Sequence, residues 1–227
     1  MTSLACTTSN SPGDQNGRVG KRLTRAAQAE ALSALAAADR DLGSALASVG
    51  APPFWTRPPG FETLVRLVTE QSVSLAAADA VFGRLEQACR PLAPSNLGKM
   101  NEHQLRVCGY SMQKAGYLRA IAAAVDDGFD LAELVRLDDD EARRQLVALR
   151  GVGPWTADNY LLFALRRPDV FPEGDRALQV GTAEVKGLAA VPTPKELLTI
   201  AEVWRPWRAV AARLIWHHYL SVRGRSE

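Results

Sequence analysis

A Gly-Val-Gly-Pro run at residues 151–154 limits the possible folds of this chain more than any other stretch. Gly151 and Gly153 end the helical pattern that precedes them, since glycine adopts backbone angles that other residues resist. Pro154 suits the first position of a new helix, where its missing N–H group is not needed. The run therefore predicts a helix, a tight hairpin and a second helix over about residues 138–166.

The helix before this run has a predicted start and a predicted buried face. Asp138 is a typical N-cap residue, and Glu141 three positions later completes the pattern of a capping box. Ala142, Leu146 and Leu149 then fall on one face at the helical period. We therefore expect this helix to pack against a core through that face and to lead directly into the hairpin.

The rest of the chain also favours helices. Ser111 is a predicted N-cap, and Thr193-Pro194-Lys195-Glu196 combines a cap, a proline at the first position and a glutamate at the third. No stretch has a convincing strand pattern, so the sequence predicts an all-α fold of about ten helices. Residues 1–19 are rich in Ser, Thr, Asn and Gly and predict a disordered tail before one domain over residues 20–227.

Composition excludes several classes of protein without selecting one. Hydrophobic residues make up 47% of the 227 residues, as in a globular chain, and the net charge of +2 permits nucleic-acid binding without arguing for it. The three cysteines are scattered, so we expect neither a disulfide framework nor an iron–sulfur cluster. Since the sequence has no signal-peptide pattern and no membrane-length apolar run, we expect a soluble, intracellular protein that does not bind membranes.

Four ordered stretches resemble the motifs of a known family. The hairpin motif at Leu149–Ala157 is followed by an acidic loop over residues 169–175, which ends in Gly174-Asp175. The pattern resembles the helix-hairpin-helix (HhH-GPD) DNA glycosylase superfamily, and within it the alkylpurine branch, 3-methyladenine DNA glycosylase II. The resemblance covers roughly residues 45–220 and implies a two-lobed helical fold without the N-terminal β-domain of the longer bacterial enzymes. The other three motifs lie at Glu70–Ser74, Gly109–Leu118 and Trp204–Arg208.

The resemblance implies a monofunctional glycosylase of base excision repair. Such an enzyme hydrolyses the N-glycosidic bond of an alkylated purine, of the 3-methyladenine or 7-methylguanine type, after the nucleotide has been flipped out of duplex DNA. By the same resemblance, Asp175 is the carboxylate that stabilises positive charge on the sugar. From the residues alone, the more ordinary role of Asp175 is to cap the next helix, and the two roles are compatible. The resemblance gives no role to the neighbouring Asp158, Asp169 and Glu173.

The resemblance also implies a substrate pocket. Trp155 stands where relatives with lyase activity have a nucleophilic lysine, which implies base release without strand cleavage. Indoles at Trp155 and Trp216 are suited to stack on an electron-poor alkylated base, although Trp155 suits a core position equally well. The family often has a tyrosine four residues after the first tryptophan. Here Asn159 occupies that position and Tyr160 follows it, and we place both in the pocket.

DNA contacts are expected at the hairpin and at the loop that holds Ser72. The hairpin motif implies that Gly151, Gly153 and Thr156 offer backbone N–H groups to a phosphate. Ser72 occupies the position at which some relatives carry a bulky residue that enters the base stack. Serine is too small to fill the gap left by a flipped base, so either another residue does so or the substrates are weakly paired lesions.

Metal and cofactor expectations are few. Family hairpins bind a monovalent cation through backbone carbonyls, which implies a Na⁺ or K⁺ site at Val147, Leu149 and Val152, and no cofactor is expected to be required. His217 and His218 are adjacent, but the chain has only three histidines and no matching carboxylate spacing, so a further metal site is not expected.

The expected partner is double-stranded DNA that contains damaged bases, bound by a monomer in the cytoplasm or nucleoid. Two other functions stay open, namely a non-catalytic helix-hairpin-helix protein that senses damage and a glycosylase for deaminated bases. Five basic residues are candidates for non-specific phosphate contacts, with a solvated surface as the ordinary alternative. These residues are Lys114, Arg150, Arg166, Arg167 and Arg205.

Overall fold

A computed structural model describes residues 21–224, so the predicted tail over residues 1–19 lies outside the described residues. Within residues 21–224 the chain forms twelve α-helices and no strand, which confirms the predicted all-α class. The helices are α1 (Arg25–Ala38), α2 (Arg40–Val49), α3 (Phe61–Glu70), α4 (Leu75–Ala88), α5 (Pro94–Lys99), α6 (Glu102–Val107), α7 (Met112–Asp126), α8 (Asp139–Ala148), α9 (Pro154–Asn159), α10 (Arg176–Lys186), α11 (Pro194–Ala201) and α12 (Arg208–Val222).

Helices α3 to α9 pack around one hydrophobic core and form the first lobe. Leu64 and Leu67 of α3 belong to this core together with Leu118 of α7. Ala142 and Leu146 of α8 are fully buried in the same core, so the face predicted from their spacing is the face that packs.

Helices α1, α2 and α10 to α12 surround a second core and form the second lobe. Leu32 of α1, Leu42 beside it on α2, Leu178 of α10 and Leu214 of α12 belong to this core. Trp204, in a 3₁₀ turn between α11 and α12, is buried there as well. The predicted two-lobed arrangement therefore follows from two separate sets of buried apolar side chains.

The segment after α9 joins the two lobes. It continues α9 as a π-helical stretch over Tyr160–Ala164. Leu161 is buried in the first core, whereas Leu162, its neighbour in the chain, is buried in the second. Because α9 starts at the hairpin and its continuation is anchored in both cores, the hairpin has a fixed position relative to both lobes.

The start of α8 is capped as predicted in one respect and differs in another. Asp138 accepts the backbone N–H of Glu141 at 2.8 Å, which confirms it as the N-cap. The prediction of a complete capping box at Asp138 is wrong. The Glu141 carboxylate binds Gln145 and Arg144 further along α8 instead of the backbone N–H of the cap residue. The predicted box at Thr193, in contrast, is complete.

None of the helices over residues 21–224 has the length and apolar character needed to cross a membrane.

Candidate active site

A cleft of about 1670 Å³ runs between the two lobes, and residues of both lobes line it. The first lobe contributes the C-terminal end of α3, the loop after it and the hairpin between α8 and α9. The second lobe contributes the N-terminal end of α10 and the C-terminal half of α12. Asp175, Trp155, Trp216, Asn159 and the hairpin residues predicted from the sequence all line this cleft.

Asp175 is the N-cap of α10 and lies half-buried in the cleft. A turn that begins at Pro172, whose carbonyl accepts the Asp175 N–H at 2.9 Å, brings the chain to the helix start. The Oδ1 atom of Asp175 then accepts the N–H of Leu178 at 2.8 Å. The capping role foreseen for Asp175 is confirmed, and it fixes one oxygen of the carboxylate.

Two tryptophans hold the Asp175 carboxylate from opposite lobes. The Nε1–H of Trp155, in the first turn of α9, donates to Oδ2 at 2.8 Å. The Nε1–H of Trp216, on α12, donates to Oδ1 at 3.0 Å. Within residues 21–224 the three donors to Asp175 are neutral N–H groups, so they orient the carboxylate without supplying a positive charge.

An aromatic residue that sequence reasoning missed completes the pocket wall. Phe163 stacks on Trp216, with ring centroids 5.6 Å apart and an interplanar angle of 20°. The guanidinium groups of Arg57 and Arg213 lie over Phe163, at 5.7 and 5.4 Å from its ring centroid. The position of Phe163 eight residues after Trp155, on the same continuous helix, is a signal that could have identified it.

The structure separates the two neighbours Asn159 and Tyr160. Asn159 borders the cleft, and its Nδ2 donates to the backbone carbonyl of Trp155 at 2.7 Å. Tyr160 was wrongly placed in the pocket, because its ring is fully buried in the first core and its Oη accepts the N–H of Gly60 at 2.8 Å. Five residues after Trp155 on a helix, Tyr160 points about 140° away from it. Burial raises the pKa of Tyr160 to about 12.

The hairpin turns at Gly151, whose φ of 95° lies in the region that favours glycine. A Cβ at this position would lie only 2.3 Å from Cγ of Tyr117, so the hairpin backbone packs directly on a ring of α7. The N–H of Val152 donates to the Leu149 carbonyl at 3.0 Å and closes the turn. Gly153 is the N-cap of α9 and stands at the cleft without a side chain.

Thr156, in the first turn of α9, is buried, and its hydroxyl is engaged within the protein. Its Oγ1 accepts a hydrogen bond from Gln71 Nε2 at 2.7 Å. The same Nε2 donates to the Gly151 carbonyl at 2.9 Å. The Thr156 side chain therefore supports the hairpin, and only the backbone of this residue is left to serve the predicted phosphate contact.

The loop after α3 carries an unusual backbone conformation. Ser72 has a φ of 56°, which is uncommon for a residue other than glycine. The chain turns there and leaves Val73 and Leu75 with 47% and 46% of their surfaces exposed in the cleft. These two side chains are the larger apolar groups beside the small Ser72.

Several charged residues serve the fold and not the cleft. The prediction that Arg167 contacts a phosphate is wrong. Its side chain is buried and donates to the carbonyls of Leu134, Val135 and Leu137. The prediction of a phosphate contact at Lys114 is also wrong, since its Nζ donates to two backbone carbonyls of the protein. Arg150 lines the cleft and is exposed, as predicted.

The acidic neighbours of Asp175 have other partners. Asp169 forms salt bridges with Arg205 and Arg208. Arg205, a predicted phosphate contact, is therefore already paired within the protein. Asp158 is buried under the hairpin helices beside Arg143. Burial raises the pKa of Asp158 to about 7 against the opposing effect of Arg143.

No group of three or more His, Cys, Asp and Glu side chains is arranged to hold a metal ion within residues 21–224. His217 contacts the carbonyl of Val49 at 3.0 Å and packs edge-on against Trp55.

Comparison with known proteins identifies the family. The sequence matches the HhH-GPD superfamily base excision DNA repair protein family over residues 65–206, more than half of the chain. The chain therefore belongs to the HhH-GPD superfamily of base excision DNA repair proteins.

Individual relatives agree with this assignment. The DNA-3-methyladenine glycosylase 1 of Schizosaccharomyces pombe is 31% identical over 161 residues, which cover 69% of this chain and 71% of that protein. The structure of the S. pombe 3-methyladenine DNA glycosylase in complex with abasic DNA matches with a TM-score of 0.74 and 28% identity, over 82% of this chain and 95% of that chain. A Clostridium acetobutylicum 8-oxoguanine glycosylase/lyase bound to DNA has the same fold, with a TM-score of 0.74, 17% identity and coverage of 86% and 70%.

Proposed function

We propose that this protein is a DNA glycosylase of base excision repair that hydrolyses the N-glycosidic bond of alkylated purines, of the 3-methyladenine and 7-methylguanine type. The observation that carries the proposal is the Asp175 carboxylate, held in an interlobe cleft by the indoles of Trp155 and Trp216. Relatives named as 3-methyladenine DNA glycosylases support the choice of alkylated bases. In this proposal the partner is double-stranded DNA that contains damaged bases. The enzyme acts as a monomer at the chromosomal DNA.

In the proposed reaction the bond between the base and C1′ of the sugar breaks, and the bonding electrons leave with the base. Positive charge develops on the sugar, and the fixed carboxylate of Asp175 stabilises it. Water then adds to C1′, and its proton passes to solvent or to the departing base. The three N–H donors hold the carboxylate in place before the reaction, so little reorganisation is needed when the charge appears.

The aromatic wall explains the choice of an alkylated base. Such a base is flat and electron-poor, and it often carries a positive charge, which favours stacking on an aromatic face. Trp216 is supported on one side by Phe163, which leaves its position in the cleft fixed. Because its indole N–H points to Asp175, a base stacked on Trp216 has its sugar near the carboxylate.

We further propose that the enzyme is monofunctional. Strand cleavage by lyases requires an amine that attacks the sugar. Position 155 holds a tryptophan, and the side chains that line the cleft within residues 21–224 include no lysine. The abasic product should therefore stay uncleaved, and borohydride should trap no covalent protein–DNA adduct.

DNA is proposed to bind along the cleft mouth. The backbones of Gly151, Gly153 and Thr156 serve a phosphate in this proposal, and Ser72 lies in the adjoining loop. Val73, exposed beside Ser72, is proposed to fill the gap left by the flipped base. Val73→Ser should then slow excision from paired lesions several-fold more than excision from mispaired lesions, and equal slowing of both would refute this assignment.

The hairpin is also proposed to bind Na⁺ or K⁺ through the carbonyls of Val147, Leu149 and Val152. Carbonyl oxygens are suitable ligands for alkali cations, and Val147 lies in the last turn of α8, where carbonyls lack helical partners. The Leu149 carbonyl accepts the Val152 N–H and has a second lone pair to offer. Replacement of K⁺ by tetramethylammonium at constant ionic strength should weaken DNA binding, and unchanged affinity would exclude the site.

Base release from methylated duplex DNA tests the proposed reaction. The wild-type protein is compared with Asp175→Asn and with Asp138→Asn. Asp138 is the matched control, because it is also an N-cap aspartate, at the end of α8 that is remote from the hairpin. Release of methylated purines that is lost in Asp175→Asn and retained in Asp138→Asn would establish the reaction and the residue.

Two other results would redirect the assignment. Tight binding to DNA by both the wild-type and the Asp175→Asn proteins, without release of any base, would indicate a damage-sensing protein. Release of hypoxanthine or uracil, with methylated purines left in place, would indicate a glycosylase for deaminated bases.

A further inference from the structure

Two cleft segments that are far apart in the sequence are tied together by Gln71. The first is the loop after α3, residues 71–74, and the second is the hairpin, residues 149–153. The side chain of Gln71 donates to the Gly151 carbonyl at 2.9 Å and to Thr156 Oγ1 at 2.7 Å, across 80 and 85 residues of sequence. One amide group therefore fixes the hairpin and the start of α9 to the end of α3.

Lys114 of α7 fixes the other side of this loop. Its Nζ donates to the carbonyls of Thr69 and Gln71, each at 2.7 Å. These carbonyls lie at the C-terminal end of α3, where the backbone lacks helical partners and the helix dipole is negative. An ammonium group there satisfies both carbonyls and fixes the direction in which the chain leaves α3.

Tyr117, one turn after Lys114 on α7, packs against the hairpin. Its ring lies against Gly151 so closely that no Cβ fits between them. Its hydroxyl accepts a hydrogen bond from Gln113 at 2.6 Å. The same face of α7 thus holds the loop through Lys114 and the hairpin through Tyr117.

We propose that Lys114 and Gln71 are positioning residues that hold the loop at residues 72–74 and the hairpin in one register, so that both bind the same DNA duplex. The proposal rests on DNA binding by this cleft, which is part of the proposed function. Lys114 acts only through backbone carbonyls. Gln71 acts through Gly151 and Thr156. The loop that they hold presents Val73 immediately after the turn at Ser72.

The test compares Lys114→Met, Gln71→Met and the double variant, with Lys114→Arg as the conservative replacement. Affinity is measured at several salt concentrations for a duplex that contains a tetrahydrofuran abasic-site analogue. Each single variant should bind about tenfold more weakly, since it removes hydrogen bonds in a partly buried network. The double variant should bind little worse than either single variant, because the two residues act in series. Lys195→Met, on the exposed surface of α11, is the control and should bind as the wild type does.

The salt dependence separates positioning from direct contact. A lysine that neutralises a phosphate contributes to the slope of log K against log salt, and its loss reduces that slope by about one. Lys114→Met should leave the slope unchanged, and Lys114→Arg should restore most of the affinity. A reduced slope, or additive losses in the double variant, would overturn the proposal.

Amide hydrogen exchange in the free protein tests the coupling without DNA. Exchange at residues 149–156 should accelerate in both single variants, while exchange in the second lobe stays unchanged. Unchanged exchange at the hairpin would overturn the proposal even if DNA affinity fell. Should wild-type protein fail to bind the duplex or to release any base, the proposed function fails, and hydrogen exchange still decides whether the coupling exists. If Lys114→Met does not fold, duplex affinity and hydrogen exchange at residues 149–156 in Gln71→Met decide the proposal, and the absence of a change in either would overturn it.

Discussion

Two aspartates of this protein occupy similar local settings but differ in burial, in the number of indole donors and in a charged partner. Asp39 is the N-cap of α2 and accepts an indole N–H from Trp204 at 2.8 Å. Asp175 is the N-cap of α10 and accepts indole N–H groups from Trp155 and Trp216. In both cases a helix cap is combined with tryptophan donors, so neither the cap nor the indole marks a catalytic residue.

The difference in charge comes from a lysine beside Asp39. Lys186, which is partly exposed and also pairs with Asp41, donates to both carboxylate oxygens of Asp39, at 3.0 and 3.2 Å. Burial raises the pKa of Asp39, but the hydrogen bonds from Trp204 and Lys186 outweigh burial and hold this pKa below 3.8. Asp175 forms no salt bridge with any residue between 21 and 224 and faces the cleft. The salt bridge commits Asp39 to the fold, whereas Asp175 has only neutral donors within residues 21–224 and borders the cleft, as its proposed role requires.

The largest expected effect comes from giving Asp175 the cation that Asp39 already has. Trp216→Lys places an ammonium beside the Asp175 carboxylate and should reduce the rate of base release about 10³-fold, the scale of losing an electrostatic stabiliser. Trp216→Phe keeps a ring but removes the N–H donor and should cost only about tenfold. Single-turnover excision measures both rates. Equal rates for the two variants would show that the negative charge of Asp175 is not needed.

Removal of the cation from Asp39 should act on stability instead. Lys186→Met leaves the Asp39 carboxylate without its charged partner and should lower the free energy of unfolding by about 1–2 kcal/mol, since Trp204 and two backbone N–H groups still donate to it. Urea denaturation measures this change, with the exposed Lys99→Met as the matched control. Base release per folded molecule should match the wild type. A selective loss of catalysis in Lys186→Met would break the distinction between the two aspartates.

The pH dependence of stability should report Asp39. Its folded-state pKa is depressed, so its contribution is fully present above the unfolded-state pKa, near 4, and is lost as the pH falls through the folded-state value. Wild type should therefore exceed Asp39→Asn in stability above about pH 5, with the gap narrowing below about pH 4. Urea denaturation across this range measures the gap. A gap that widens on acidification would contradict the assigned direction.

The smallest expected effects come from removing single indole donors. Trp204→Phe should cost about 1 kcal/mol of stability and leave base release unchanged. Trp155→Phe should slow base release about fivefold and change stability little, since Trp155 is only half-buried in the cleft. Thermal unfolding and excision assays on the pair provide the comparison. If both variants lower stability, or both slow base release, the proposed difference between Asp39 and Asp175 is contradicted.

The sequence predicted the local features of the site well. The hairpin, the start of α9 at Pro154, the N-cap role of Asp175 and the cleft positions of Trp155 and Trp216 all follow the predictions. Each depends on residue types a few positions apart or on an ordered set of motifs, which a single sequence contains.

Side chains with remote partners do not follow the predictions. Lys114 and Arg167 looked like surface cations, but both are committed to backbone carbonyls of segments distant in the chain. Tyr160 looked like a pocket residue and is a core residue bonded to Gly60, 100 positions earlier. Spacing alone does not reveal such partners, because packing of separate helices creates them.

By itself, the sequence determined most of the helices, their N-caps and the hairpin, because those depend on backbone preferences and hydrogen bonds within one or two helical turns. The cap role of Asp175 belongs to these local features, whereas its proposed role as the reacting carboxylate rests on the family resemblance. The tertiary structure alone decided that two indoles, 20 and 41 residues from Asp175, meet at its carboxylate and that Lys186 neutralises Asp39 instead. The indole pairings arise where the two lobes close around the cleft, and the Lys186 pairing arises where α10 packs beside α2 within the second lobe. The balance of burial and charge at each aspartate is a property of the packed lobes, and it separates the salt-bridged Asp39 from Asp175, the proposed catalytic residue.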